Sequence, residues 1–174
     1  MMADTMMLAH VNTPPAQTWN YLRINDIALE VPVPAGQGAA FNRLPRIFDN
    51  IECGIGDEAR DWIVSSTPDA RYIEVPARTM RVDPIVVDIA AERGTAADTG
   101  ICVREGSEAT IVIVAGAALP GEATTAALTR IIAERFSKVH IVEIIALGGS
   151  FSHLEGLGVD AARGAHVDVR QYFL

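Results

Sequence analysis

A chain of 174 residues with 49% hydrophobic but only 6% aromatic side chains suits one domain, or one domain and an arm, with an Ala/Val/Ile core that fits narrow strand rungs better than a large ligand cavity. A net charge of −8 with a single lysine, Lys138, argues against nucleic acid or an anionic membrane as partner, because there is no basic patch to release phosphate counterions. Two cysteines, Cys53 and Cys102, are too few and too unpatterned for a disulfide framework, and a reducing compartment is the default.

Residues 1–15 form a Met-rich leader ending in Asn12-Thr13-Pro14-Pro15, expected to be poorly ordered or to lie along a partner. Its first ten residues lack a basic stretch followed by an apolar run, so no signal peptide is read, and nothing later approaches a membrane span. The expected location is cytoplasmic. Trp19 and Tyr21 stand close enough together to expect burial of that segment, and Pro32, Pro34, Gly36 and Gly38 then break the chain into an extended linker. Asp57 to Ser65 has helical spacing, with Ala59, Trp62 and Ile63 on one face, Asp57 as N-cap, and Ser66-Thr67-Pro68-Asp69 as the stop. Residues 1–70 are thus expected to form a partly helical arm, and residues 71–174 the first rungs of a β-helix.

From Tyr72 the character becomes that of strands. Tyr72-Ile73-Glu74-Val75-Pro76 and Ile85-Val86-Val87-Asp88-Ile89 are β-branched and separated by a segment containing Pro84, and prolines suit corners, where no ladder donor is needed. A repeat follows. Gly106-Ser107-Glu108-Ala109-Thr110-Ile111, Phe136-Ser137-Lys138-Val139-His140-Ile141 and Gly164-Ala165-His166-Val167-Asp168-Val169 start 30 and 28 residues apart. In each copy the third and fifth residues after the first are apolar and their neighbours polar, and five residues earlier comes a further apolar set, Ile101, Ile131 and Val159. Period-two alternation means strands with one buried face, and recurrence near thirty residues means that they stack in register, which is a parallel β-helix. Ala123 to Phe136 is ambiguous: Leu128, Ile131, Ile132 and Phe136 have helical spacing, while the repeat places Ile131 to Ala133 in a strand. Strand is the reading adopted, with Ala123 to Ala127 as loop.

Three passages resemble the SufB/SufD family of iron-sulfur cluster assembly proteins, with a lean to SufD: Thr18 to Asn25, like the family's aromatic entry segment; Ile73-Glu74-Val75-Pro76 with Val82-Asp83-Pro84-Ile85-Val86-Val87; and the repeat, with Gly106 and Gly164 where the family has a recurring Gly-Ala between rungs. Phe136 departs from that pattern. The resemblance, which covers residues 17–174, implies a right-handed parallel β-helix behind a partly helical arm. It also implies a non-catalytic scaffold subunit that works with a SufB-type subunit and the SufC ATPase. Family members continue for further rungs and end in a helical segment that docks the ATPase, so the chain reads as cut short at Tyr172-Phe173-Leu174. The family residues linked to cluster handling lie beyond that point and none is carried over. No cofactor is expected on this chain, an iron-sulfur cluster belonging only to the full assembly. An uncapped last rung is also expected to pair with another copy or with a partner's β-helix.

No residue is assigned to catalysis. Stacking in register would give one outward ladder of Glu108, Lys138 and His166 and another of Thr110, His140 and Asp168, with rungs about 4.8 Å apart. These read first as a solvated face whose ion pairs are worth about 0–1 kcal/mol each. The candidates for a metal-binding or pH-sensitive patch are His140, His166 and Asp168. Cys102 is added because alternation from Ile101 points it outward, making it the more accessible thiol. Thr110, His140 and Asp168 are not a hydrolase triad, since no activated-nucleophile context or oxyanion hole accompanies them. His153 reads as a surface-loop histidine. A polysaccharide-active β-helix would want a secretion signal and a crowded face of Asp with Arg or Lys, and neither is present. A structural, self-associating β-solenoid remains as the alternative to the assembly scaffold.

Overall fold

The computed structural model describes residues 4–11, 27–34, 43–67, 69–90, 96–116, 122–148 and 150–174. The Trp19–Asn25 segment, Gly36, Gly38, Pro68, Gly121 and Gly149 lie outside them. The described part of the leader includes a strand: β1 (Thr5–Val11) pairs antiparallel with β2 (Ile27–Pro32), and Leu8 and Val11 are buried. A short 3-10 turn (Arg46–Phe48) and helix α1 (Asp57–Ser66) follow. Ala59, Trp62 and Ile63 form the buried face of α1 as expected, but Gly56 at φ +79° occupies the N-cap. Asp57 stands one place inside, where its charge suits the positive end of the helix dipole and meets Arg60 at 3.1 Å.

The rest of the described chain winds into two parallel sheets. β3 (Arg71–Val75), β5 (Ala96–Val103), β7 (Glu122–Ala133) and β9 (Ser150–Ala161) form one; β4 (Ile85–Ala90), β6 (Glu108–Gly116), β8 (Lys138–Ala146) and β10 (His166–Phe173) form the other. Each coil lends one strand to each sheet, which is a β-solenoid. The register is the one the repeat requires: Ile73, Ile101, Ile131 and Val159 stack, as do Glu108, Lys138 and His166, and Thr110, His140 and Asp168. Val75, Val103 and Ala133 from the first sheet meet Ile111, Ile113 and Ile141 from the second in a fully buried lumen. Pro76 and Pro84 stand at the corner between β3 and β4, outside the ladders.

β7 is strand over its whole length, including the stretch expected as loop. Its false helical spacing has a physical cause. Ile131 faces the lumen, whereas Leu128 and Ile132 face outward into the clusters that the arm makes with this sheet. A strand covered on both faces loses its polar alternation. The arm sits close because the outward column under it contains glycine: a β-carbon at Gly100 would lie 2.9 Å from Leu44 Cδ1, and one at Gly158 2.5 Å from the Glu52 carbonyl oxygen.

The two strands of each coil are joined by a tight turn with a left-handed residue, and these turns also stack. Arg78 (φ 58°), Gly106 (φ 68°), Phe136 (φ 59°) and Gly164 (φ 76°) follow one another up the solenoid. The departure of Phe136 from glycine is therefore a strained backbone, costing about 1–2 kcal/mol. Large and small residues alternate because the Phe136 ring leans over Gly164, whose β-carbon would lie 2.7 Å from Phe136 Cδ1. Gly164→Ala is expected to destabilise by about 1–3 kcal/mol in urea unfolding, combining left-handed strain with this contact. In a Phe136→Gly background the loss should shrink to the strain alone; equal losses in both backgrounds would remove the ring from the explanation.

Candidate functional site

The outward ladders of the second sheet form as a charged face. Lys138 Nζ lies 3.3 Å from Glu108 Oε2, His140 Nε2 3.9 Å from Glu108 Oε1, and Arg170 Nε 3.7 Å from Asp168 Oδ1. His140 Nδ1 is hydrogen-bonded to Asp168 Oδ2. Of the four candidate ligands, then, only His140 and Asp168 meet. His166 stacks beside Lys138, and its imidazole makes no hydrogen bond or ion pair among the described residues. Cys102 is on the other sheet. Among the described residues no group of three or more His, Cys, Asp or Glu side chains converges where a metal ion could sit. A second ladder runs along the turns, where Arg104 reaches Glu74 at 2.9 Å and Glu134 at 2.7 Å. Its hydrogen bonds are the main reason that both carboxyls sit below their ordinary range.

Cys102 overturns an expectation. It does face away from the lumen, but Leu44, Phe48 and Ile51 cover it and it is only 1% exposed. Period two distinguishes the two faces of a strand and says nothing about a second layer laid over one of them. Cys53 is also buried. Burial is the leading cause that pushes both thiols up, Cys53 to about 11. A thiolate is what ligates metal and attacks reagents, so this pair, buried in separate clusters, does not fit the ligation of an iron-sulfur cluster. Both cysteines are expected to resist a thiol reagent in the native chain and to react together on unfolding; fast native labelling of Cys102 alone would show the cover to be absent.

The same covered face holds a buried ion pair. Arg130 on β7 donates from Nη2 to Asp98 on β5 at 2.7 and 2.8 Å, and from Nη1 to the Phe48 carbonyl of the arm at 3.3 Å. The pair pins the arm to the sheet through main chain, so its geometry is structural.

The lumen holds the least expected chemistry. His153 lies in β9, its side chain only 7% exposed, where a surface loop was expected. Its Nδ1 is 2.7 Å from Thr125 Oγ1 and its Nε2 2.7 Å from Glu155 Oε2. Glu143, from β8, is completely buried; burial, then the neighbouring Glu155, pushes its carboxyl up to about 7. Gln171 Nε2 donates to Glu143 Oε2. His153, Glu155 and Gln171 line a cavity of about 590 Å³ with apolar walls from Leu157, Val169 and Phe173. Sequence reasoning missed this cluster although a signal existed. Glu143 is the register partner of Ile113, so carrying the repeat two residues further places a carboxyl in an inward apolar column.

Comparison with protein-family models, with curated proteins and with solved structures found no match. The fold therefore defines the class: a parallel β-solenoid with its arm laid along one sheet. Among the described residues no helix is long and apolar enough to cross a membrane.

Proposed function

We propose that this chain is a non-catalytic scaffold and interaction subunit of SUF-type iron-sulfur cluster assembly, acting in the cytoplasm with a SufB-type subunit and the SufC ATPase. The observation that carries the reading is the register. Two of the three passages on which the resemblance to SufB/SufD rests, Ile73–Pro76 with Val82–Val87 and the repeat, are strands and corners of a single solenoid. The cluster is cargo in this reading, handled by the assembly, and neither buried thiol of this chain is its ligand. A solenoid braced by an arm is a rigid surface on which partner subunits can be positioned, which is what a scaffold supplies.

The test is size-exclusion chromatography with light scattering on the chain, alone and mixed with a SufB-type subunit and a SufC ATPase. Co-elution supports the scaffold reading. A stable self-oligomer that takes up neither protein supports the second reading, a structural self-associating solenoid. That alternative is favoured by edge strand β10, where Tyr172 and Phe173 are 50% and 71% exposed and open backbone groups invite pairing with a second copy.

A further inference from the structure

One inward column of the second sheet runs Val87, Ile113, Glu143, Gln171. Two apolar residues are succeeded by two polar ones, so the lumen changes character between the second and third coils. Facing Glu143 from β9 are Glu155, within hydrogen-bonding reach, and His153, the charged groups that act on it most. From β10 comes the neutral Gln171. From β6 and β7 come Ile113 and Thr125, which do not titrate near neutrality.

The donors in this cluster are already committed. Gln171 Nε2 donates to Glu143 Oε2. His153 Nε2 is bonded to Glu155 Oε2 and its Nδ1 to Thr125 Oγ1, so both ring nitrogens are taken and the imidazole has no further donor for either carboxyl. Each carboxyl is left with one oxygen, Glu143 Oε1 and Glu155 Oε1, that is buried and has no donor. Two neighbouring carboxyls, each with such an oxygen, are unfavourable as a pair of anions. A proton on one carboxyl supplies the hydrogen bond that both lack and removes one of the two charges.

We propose that Glu143 and Glu155 form a proton-binding site inside the solenoid, sharing one proton between their Oε1 atoms, and that release of this proton loosens β9 and β10 from the coil beneath. Burial, then the Glu155 charge, moves the Glu143 carboxyl from its ordinary 4.5 to about 7, so release falls near neutrality. The unfolded chain gives up this proton near 4.5 and the folded chain near 7. Stability is therefore highest, as far as this pair is concerned, below about 4.5; it declines as pH rises between the two values and levels off above the upper one.

The experiment is urea unfolding of the whole chain and of Glu143→Gln and Glu155→Gln at intervals from acid to mildly alkaline pH, alongside carbon NMR titration of the glutamate carboxyls in the native wild type. One carboxyl titrating near neutrality is expected. The folded-to-unfolded ratio of the wild type, relative to Glu143→Gln, should fall on the order of a hundredfold across the window. Amide exchange in β9 and β10, corrected for its intrinsic pH dependence, should accelerate in the wild type as pH passes neutrality and not in Glu143→Gln. Titration of every native glutamate in the ordinary carboxylate range overturns the shared proton. Exchange in β9 and β10 that is indifferent to pH overturns its coupling to the coil. Should Glu143→Gln fail to fold, Glu155→Gln and the native titration decide alone.

Discussion

Asp98→Ala is expected to destabilise the chain by about 3–5 kcal/mol, because it strands a buried guanidinium. Asp98 and Arg130 are 3% and 5% exposed and meet through a two-oxygen contact at 2.7 and 2.8 Å. Arg130 Nε has no acceptor and Nη1 has only the Phe48 carbonyl, so with the carboxylate gone the buried guanidinium keeps a single protein acceptor. The carboxyl itself sits above its ordinary value, because burial outweighs the hydrogen bonds and charge of Arg130. Taking two charges out of water costs about as much as a buried ion pair returns, so the intact pair contributes little net stability. The double variant Asp98→Leu with Arg130→Met is therefore expected to recover most of the loss in urea unfolding. A double variant as unstable as Asp98→Ala would mean that the ion pair is itself a major stabilising contact.

Gly158→Ala is expected to cost about 1–3 kcal/mol and to lift the arm. The new β-carbon would lie 2.5 Å from the Glu52 carbonyl oxygen and 2.7 Å from Cys53 Sγ and Ile51 Cγ2. The nearest of these is main chain, which cannot swing aside as a long side chain can. It is also held locally, since Glu52 Oε1 accepts from the N–H groups of Cys53 and Gly54 at 3.1 and 2.9 Å. Cys53 and Cys102 should both gain thiol reactivity while the β-sheet circular dichroism is kept. Gly116→Ala is the control, since a β-carbon there meets nothing within 4 Å. Equal thiol protection in Gly158→Ala and the control would show that the arm tolerates the extra atom.

The solenoid was legible because inward and outward residues alternate and the alternation recurs. Val139 and Ile141 repeat Ala109 and Ile111 thirty residues on, which fixes register as well as strand. The arm was less legible for a physical reason. β1 and β2 pair across an intervening segment without a tight-turn signal, and Met6 and Met7 look like a leader because that edge of the hairpin is exposed. The accessibility of Cys102 was misjudged for want of one further inference from Gly100 and Gly158. Glycine at outward strand positions marks a close approach by another segment, and here that segment is the arm, through side chains at Gly100 and main chain at Gly158. His153 and Glu143 were missed because the repeat was followed only to the residues that obeyed it, and polar chemistry in a solenoid lies where the repeat is broken.

The arm also sets a constraint on how the chain comes to be assembled. Nearest-neighbour coupling lets an ordinary solenoid grow coil by coil, each new one stabilised as soon as it is made. Here the segment Ile51 to Ile55 seats against Gly156 and Gly158 of β9, so it finds its seat only after β9, three coils later in the chain, has left the ribosome. Until then its apolar face, Phe48, Ile55, Trp62 and Ile63, has no complete surface to bury against. The nascent protein thus carries an unsatisfied clasp until β9 is made, and closing that clasp ties the second, third and fourth coils into a unit that can no longer fray one coil at a time.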